Sequence, residues 1–295
     1  MVRALYASYD GPLYLVKRAD NLASTAIFTK AKGGYANSDA QDTFCKGTDC
    51  SVIRFFDQTK HGHHLDLAPV GGAGNKTDIG VNASKHKIMI GGHSVYGAYF
   101  EGSMGYRCES TWGVATGDEA ESLYMVVDGK HYNDKCCFDY GNAEIDALDH
   151  GKGTMEAIYW GNSTGWSKGA GGGPWVMADI ENGLWAGSNR TQATNTPILA
   201  DFVTAMLKGK AGAFALKGGD ATSATGLQHL YEGDRPPGYK VMRKQGAIIL
   251  GIGGDNSDWA VGTWYEGVMV SGYATDDTDA AVHANIVAAG YGIGK

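Results

Sequence analysis

The sequence predicts an all-β fold, a single two-sheet β-sandwich over residues 1–295 with one short helix near the C-terminus. Its apolar stretches are short, rich in β-branched and aromatic residues, and bounded by Gly-Gly, Asp-Gly and Gly-Asn pairs, as in strands joined by tight turns. Helical and extended patterns do not alternate, which disfavours a parallel α/β sheet. Because no linker or repeat divides the chain, we expect a single domain.

Individual elements follow from local patterns. Eight segments have the strand pattern, at residues 51–56, 87–90, 123–127, 155–160, 175–180, 202–207, 247–250 and 263–270. Near the N-terminus, Asp10-Gly11 separates two short extended segments, residues 4–9 and 13–16, and predicts a β-hairpin. Towards the C-terminus, Thr275 is a good N-cap, aspartates follow it, and Gly290 is placed to end a helix.

Composition excludes several classes of partner. Charged residues make up 19% of the chain and the net charge is −7, so we expect no nucleic-acid partner. No run approaches the ~20 apolar residues of a membrane span, and we expect no membrane partner. The first twenty residues lack the apolar segment of a signal peptide. The protein is therefore either cytosolic or secreted with a leader outside this sequence, and we expect it to act as a monomer.

The cysteines favour an extracellular protein. Cys45 and Cys50 enclose a tight loop, and Cys136 and Cys137 are adjacent, so neither pair has the spacing of a zinc site. Two short-range disulfides would leave Cys108 as a free thiol. Four N-glycosylation acceptors are also compatible with secretion: Asn75, Asn82, Asn162 and Asn189.

The segment WVMADIENGLWAG is the most informative for function. As a strand, it would point Trp175, Met177, Asp179 and Glu181 to one face, opposite an apolar face. That face could be a solvated exterior. Aromatic rings beside carboxylates are, however, typical of a sugar-binding cleft, where rings stack on the sugar and acids accept bonds from its hydroxyls.

Three other motifs have open interpretations. In AIILGIGGDNS, a buried strand runs into a glycine-rich turn that presents Asp255 either to a ligand or as an ordinary turn residue. Cys136-Cys137 forms either a vicinal disulfide in a binding site or two buried thiols. The cluster His61-Gly62-His63-His64 lacks carboxylates at a matching spacing, so we expect a surface loop and no metal site.

Together these motifs resemble the catalytic domain of family 54 glycoside hydrolases, the fungal α-L-arabinofuranosidases of the B type. The resemblance rests on WVMADIENGLWAG, AIILGIGGDNS, GTWYEGVMVSGY, HYNDKCCFDYGNAE and MEAIYWGNST, and runs from about Arg3 to Tyr291. It implies a concanavalin-like jelly roll. It also implies a retaining, exo-acting hydrolase that releases terminal α-L-arabinofuranosyl residues from arabinan or arabinoxylan, without a metal or other cofactor. The arabinose-binding β-trefoil of relatives is not expected within these 295 residues.

The resemblance also assigns roles to individual residues. It implies that Glu181 is the nucleophile, ionised in the working enzyme, and that Asp255 is the general acid/base. It implies sugar contacts for the following residues: Asp179, Cys136, Cys137, Trp166, Asn182 and Gly254. Disulfides are implied between Cys45 and Cys50 and between Cys136 and Cys137.

Two rival functions stay open at this stage. A non-catalytic sugar-binding sandwich would need the aromatic residues and the vicinal disulfide, but not both Glu181 and Asp255. A hydrolase of another furanoside, such as a β-D-galactofuranoside, would need room for an exocyclic carbon. The family usually has asparagine where this chain has Gly183, which is expected to relax a sugar contact or widen the pocket.

Overall fold

A computed structural model describes residues 1–294 and consists of two large antiparallel sheets packed face to face. The strands are β1 Pro12–Arg18, β2 Ser24–Phe28, β3 Cys50–Phe55, β4 Leu65–Leu67, β5 His86–Ile90, β6 His93–Phe100, β7 Tyr106–Cys108, β8 Glu121–Tyr132, β9 Asp139–Ala143, β10 Glu156–Gly161, β11 Lys168–Gly169, β12 Trp175–Asp179, β13 Leu184–Trp185, β14 Thr191–Gln192, β15 Phe202–Lys210, β16 Ala213–Asp220, β17 Gln228–Asp234, β18 Ala247–Leu250 and β19 Gly262–Ser271. The helices are α1 Ser38–Phe44 and α2 Asp276–Ala288.

The two sheets have ten and seven strands. The ten-stranded sheet runs in the order β13-β12-β10-β9-β18-β7-β4-β3-β1-β2, and the seven-stranded sheet in the order β17-β16-β15-β8-β19-β6-β5. β11 and β14 form a separate small parallel pair. Alternating residues of both sheets meet in one apolar core, where Val126 of β8, Ile158 of β10 and Val176 of β12 are fully buried. The all-β sandwich and the short C-terminal helix are thus confirmed.

One group of buried charges within the sandwich forms a paired network. Glu156 of β10 accepts from Arg235 at 2.7 Å and from Lys244 at 2.8 Å, and Lys244 also contacts Glu121 at 2.9 Å. Removing one member would leave an uncompensated charge in a dry environment, which is strongly destabilising. Glu121 and Glu156 therefore have a structural role in this network.

The eight predicted strands are confirmed, with ends shifted by a few residues. The prediction of an N-terminal hairpin is wrong, because residues 4–9 pair with another segment. Ala4 N–H donates to the Gly34 carbonyl, and Gly33 N–H donates to the Tyr9 carbonyl. α1 was not predicted. It has only seven residues, and its Asn37 cap accepts a hydrogen bond from Ala40 N–H.

The C-terminal helix begins and ends as expected. Thr275 Oγ1 accepts from Thr278 N–H, and Gly290, just beyond the helix, has a φ of 78°. No helix within residues 1–294 combines the length and the apolar character needed to cross a membrane.

Candidate active site

The candidate site lies on the outer face of the ten-stranded sheet, over β9, β10 and β12. The register places Ala157 of β10 between Gly141 of β9 and Asp179 of β12. A side chain at Gly141 would overlap Ala157. Asp139 and Asp179 lie on the strands that flank β10 on this face, and the small residues Gly141 and Ala157 leave little bulk beside Asp179.

Four loops close a cavity of about 150 Å³ over this face. The cavity is lined by Cys136, Cys137, Trp166, Asp179, Glu181, Asn182, Gly183, Leu184, Gly253, Gly254, Asp255, Ser257 and Trp259. All eight residues to which the sequence assigned catalytic or sugar-binding roles are therefore brought together around one cavity.

Glu181 lies in a strained turn directly after β12. Glu181 and Asn182 have φ values of 59° and 56°, a left-handed conformation that non-glycine residues rarely adopt. Tyr239 Oη donates to the carbonyls of Glu181 at 3.0 Å and Asn182 at 2.8 Å, and Asp179 Oδ1 accepts from Glu181 N–H at 3.2 Å. These bonds hold the turn, as expected of strain at a functional site.

This turn corrects the expected geometry of the segment. The strand ends at Asp179, so Glu181 does not continue the strand face on which Asp179 lies. The solvated-exterior interpretation is also wrong, because Asp179 and Glu181 are only 5% and 6% exposed and Trp175 and Met177 are buried. Both faces of this strand are covered. The alternation of residues along a strand cannot show whether its second face is covered or open to solvent.

Asp255 is presented by a turn whose backbone is fixed on several sides. Asp255 Oδ1 accepts from Ser257 N–H at 3.1 Å, and the guanidinium of Arg107 donates to the Gly254 carbonyl at 2.9 Å. A side chain at Gly254 would overlap Glu144 and bring a β-carbon to 2.9 Å from Glu181 Oε2. Glycine is therefore required at 254 for a close approach between the two loops.

The vicinal cysteines form one wall of the cavity. Cys136 and Cys137 are joined by a disulfide, and Cys137 N–H donates to the Ser257 carbonyl at 3.3 Å. Asp179 Oδ2 lies 3.3 Å from Cys137 Sγ. Metals bind thiolates, and both sulfurs here are used in the disulfide, so this grouping with Asp179 is not suited to a metal ion.

Four carboxyl groups cluster at the cavity. Burial raises the pKa of each, and repulsion between carboxylates adds to this for Asp139, Asp179 and Glu181. Burial raises the pKa of Asp179 to about 7. Burial, followed by the charge of Asp179, raises the pKa of Asp139 well above its usual value. The interaction between these two carboxyl groups raises the pKa of Asp139 and lowers that of Asp179, so Asp139 is the member of the pair that favours the proton.

Glu181 and Glu144 form the second carboxyl pair. Burial, then the charges of Asp179 and Glu144, raises the pKa of Glu181 to about 11. Burial likewise raises the pKa of Glu144, whose Oε1 accepts from Thr154 Oγ1. Desolvation and like charges both disfavour the carboxylate form of Glu181, so the expected ionised nucleophile has to form against the influence of its surroundings.

Two tryptophans stand at the mouth of the cavity. Trp166 is 40% exposed and Trp259 is 54% exposed, although both line the same cavity. Asn182 lies beside them, and its amide donates to Asp149 at 2.9 Å. Gly183 opens no extra room, because a side chain there would overlap the Trp185 indole and approach the Tyr239 hydroxyl to 2.7 Å.

Sequence reasoning missed several residues that shape the site: Asp139, Glu144, Arg107, Tyr239 and Trp259. The first two lie in the quoted motif CCFDYGNAE, where acidic residues beside the vicinal cysteines were the available signal. Arg107 and Tyr239 act on backbone carbonyls of loops far away in the sequence, and no local pattern indicates such contacts.

The histidine cluster has structural partners elsewhere on the surface. His63 Nε2 accepts from Trp112 N–H, His64 Nδ1 accepts from Asp57 N–H, and the His61 ring stacks on Trp112 at 4.0 Å. A larger cavity of about 710 Å³ adjoins this region. Three acidic residues line it: Glu121 and Glu266 are held in ion pairs, and Asp57 accepts hydrogen bonds from the backbone N–H groups of Thr59 and His63.

Comparisons with known proteins agree with this geometry. A solved arabinofuranosidase complexed with arabinofuranosyl-α-1,2-xylobiose superposes with a TM-score of 0.97 at 48% identity, over 100% of this chain and 62% of that chain. A second solved structure is a mutant α-L-arabinofuranosidase of glycoside hydrolase family 54, soaked with 4-nitrophenyl α-L-arabinofuranoside. It superposes with a TM-score of 0.95 at 47% identity, over 98% of this chain and 62% of that chain. The fold is that of the family 54 sandwich.

The sequence comparisons define the family. The protein-family model described as "Alpha-L-arabinofuranosidase B, catalytic" matches residues 1–292 of this chain. The chain therefore belongs to this family. It is similar to the probable α-L-arabinofuranosidase B of Aspergillus fumigatus, with 49% identity over 98% of this chain and 58% of that protein. The chain thus spans a little over half the length of this curated relative.

Proposed function

We propose that this chain hydrolyses terminal, non-reducing α-L-arabinofuranosides of plant polysaccharides such as arabinan and arabinoxylan, with retention of configuration. The observation that carries the proposal is the packing of Glu181 against Gly254, which directly precedes Asp255. Two carboxyl-bearing loops therefore meet at one small cavity. Retaining glycosidases need two such groups roughly 5–5.5 Å apart, whereas inverting enzymes hold them at about 6.5–9.5 Å.

The reaction uses the two carboxyl groups in sequence. Glu181 attacks the anomeric carbon while the bond to the leaving oxygen breaks, and Asp255 donates a proton to that oxygen. A water molecule then attacks the same carbon, gives its proton to Asp255, and releases the Glu181 carboxylate. Both roles are filled by side chains of this chain, so the mechanism needs no metal or organic cofactor.

The nucleophile must lose the proton that the neighbouring carboxyl groups favour. Attack requires the carboxylate form of Glu181, whereas the raised pKa of this group favours its protonated form. Positive charge develops on the sugar ring in the transition state and stabilises the adjacent carboxylate. The proton of Glu181 leaves to water before the attack, because Glu144, the neighbouring carboxyl, itself has a raised pKa.

Cavity size supports an exo-acting enzyme. About 150 Å³ is well below the ~300–1,000 Å³ of drug-sized pockets and suits a single sugar ring. Asp179 is placed to accept bonds from sugar hydroxyls, the Cys136–Cys137 disulfide bounds one side, and Trp166 stands at the opening. Asn182 and Gly254 complete the proposed contacts with the sugar.

Secretion is supported by the two disulfides, Cys45–Cys50 and Cys136–Cys137, because such bonds persist in oxidising environments. Cys108 is the free cysteine among the described residues. The proposed substrate is an arabinofuranosyl-bearing polysaccharide or oligosaccharide outside the cell.

A panel of aryl furanosides and pyranosides tests the proposal. We expect turnover of the α-L-arabinofuranoside, loss of it in Glu181→Gln, and a first-formed arabinose of retained configuration by proton NMR. Binding without turnover would make the chain a sugar-binding module. Preference for a β-D-galactofuranoside would favour the other rival, although the space at Gly183 is filled by Trp185 and Tyr239.

A further inference from the structure

Trp259 is a large aromatic side chain left open to solvent beside the cavity. It is 54% exposed, yet it contributes to the cavity lining. The assignments made above from sequence give it no role. A solvent-exposed indole at the mouth of a sugar site offers a flat apolar surface, and such surfaces favour stacking on the C–H faces of a sugar ring.

The backbone of Trp259 is fixed to the wall of the site. Its N–H donates to the Cys136 carbonyl at 3.3 Å, and its own carbonyl accepts from Asn133 Nδ2 at 3.2 Å. Asn133 Oδ1 in turn accepts from Val261 N–H at 3.3 Å. A ligand that stacks on the indole therefore meets a segment that is already held in place, and little ordering entropy opposes binding.

Its position in the chain relates Trp259 to the leaving group. It lies on the same loop as Asp255, and the turn between them is closed by the bond from Ser257 N–H to Asp255 Oδ1. In the proposed mechanism Asp255 protonates the oxygen that joins the furanose to the rest of the substrate. The sugar beyond that oxygen must therefore leave on the Asp255 side of the cavity.

We propose that Trp259 is a stacking platform for the pyranose ring that carries the scissile arabinofuranosyl group. This inference rests on the proposed function and extends it to a second sugar. The chair of a β-linked xylopyranose presents a flat face of C–H groups, whereas a furanose ring is puckered and fits a planar indole less well. Trp259 thus favours branched xylan-type substrates over linear furanose chains.

Two substrates that share the furanose but differ beyond it test the proposal. Arabinofuranosyl-xylobiose carries a pyranose at the expected platform, and methyl α-L-arabinofuranoside does not. We expect Trp259→Ala to lower kcat/KM for the oligosaccharide about tenfold, mainly through KM, and to lower that of the methyl glycoside by a much smaller factor. Trp259→Phe should recover most of the loss.

Two other tryptophans serve as comparisons. Trp166→Ala should lower kcat/KM for both substrates, because Trp166 is proposed to bound the furanose itself. Trp112 is 58% exposed and stacks on His61 away from the site, so Trp112→Ala should leave kcat/KM unchanged for both substrates. An equal loss with both substrates in Trp259→Ala, or no loss with the oligosaccharide, overturns the proposal.

A binding measurement separates this inference from the proposed function. If the wild-type protein turns over neither substrate, the proposed activity fails, and saturation-transfer NMR with xylobiose still tests the platform. We expect a signal from xylobiose with the wild-type protein that is strongly reduced in Trp259→Ala. Equal signals, or no signal with the wild type, contradict a pyranose site at Trp259.

Discussion

The carboxyl group of Glu181 lies against the backbone of Gly254, and a β-carbon at 254 would stand 2.9 Å from Glu181 Oε2. Gly254 directly precedes Asp255 in the chain. This contact therefore joins the two loops that carry the proposed nucleophile and the proposed acid/base, and it depends on the absence of a side chain at one position.

Replacing this glycine tests the contact. We expect Gly254→Ala to lower kcat about 100-fold, because displacement of a reacting group by ~1 Å has costs of that order. Gly72→Ala is the matched control: it also lies near Asp255, but a β-carbon there meets the nearest atoms at 3.7 Å, an ordinary contact. Equal activity of the two variants in a steady-state assay would contradict the close packing.

Tyr239 is expected to position the Glu181 turn. Tyr239→Phe removes the hydroxyl that donates to the carbonyls of Glu181 and Asn182, so the strained turn should relax and kcat should fall about tenfold or more. Tyr231→Phe is the control, since Tyr231 Oη also donates to a carbonyl, that of Asp234, at an exposed site. A loss in KM alone, with kcat unchanged, would mean that Tyr239 does not position the nucleophile.

The raised pKa of Glu181 makes a prediction about stability. The folded protein holds this proton more tightly than the unfolded chain, so ionisation destabilises the fold progressively as pH rises from the ordinary 4.5 towards about 11. Glu181→Gln, which cannot ionise, should therefore have the higher Tm, with a difference that grows from acidic to mildly alkaline pH. Exposed Glu232→Gln should show no such growth, and a difference for Glu181→Gln that shrinks with pH would refute the assignment.

Glu144 should control the acidic side of the pH–rate profile. Its negative charge is one cause of the raised pKa of Glu181, so Glu144→Gln should lower that pKa. The carboxylate form of Glu181 would then persist to lower pH, and the acidic limb of kcat/KM should move to lower pH by about one unit. A shift to higher pH, or an unmoved limb, would show that Glu181 does not govern this ionisation.

Much of the fold could be predicted from local pattern. The strand that carries Val176 and Ala178 and the helix that begins after Thr275 follow from side-chain period and capping, which are properties of neighbouring residues. The prediction of a hairpin at Asp10-Gly11 is wrong because residues 4–9 form hydrogen bonds with residues 33–34 instead. Such competition between distant segments is not encoded in either segment alone.

The candidate site was predictable in its residues but not in its electrostatics. Asp179, Glu181 and Asp255 could be named from their motifs. The protonation of Glu181 depends on Glu144, which folding places beside it, and on the depth of burial, and neither can be read from the sequence around DIENG. Trp259 was missed for the same reason, because its role follows from which cavity it borders.

Covalent trapping tests the central claim most directly. In Asp255→Asn, a substrate with a good leaving group such as 4-nitrophenyl α-L-arabinofuranoside should still arabinosylate the nucleophile, while hydrolysis of the intermediate should stall for lack of a base. Intact-protein mass spectrometry should show one added pentosyl group, peptide mapping should place it on Glu181, and azide should release it with retained configuration. A pentosyl group on Asp179, or on any residue other than Glu181, would contradict the assignment.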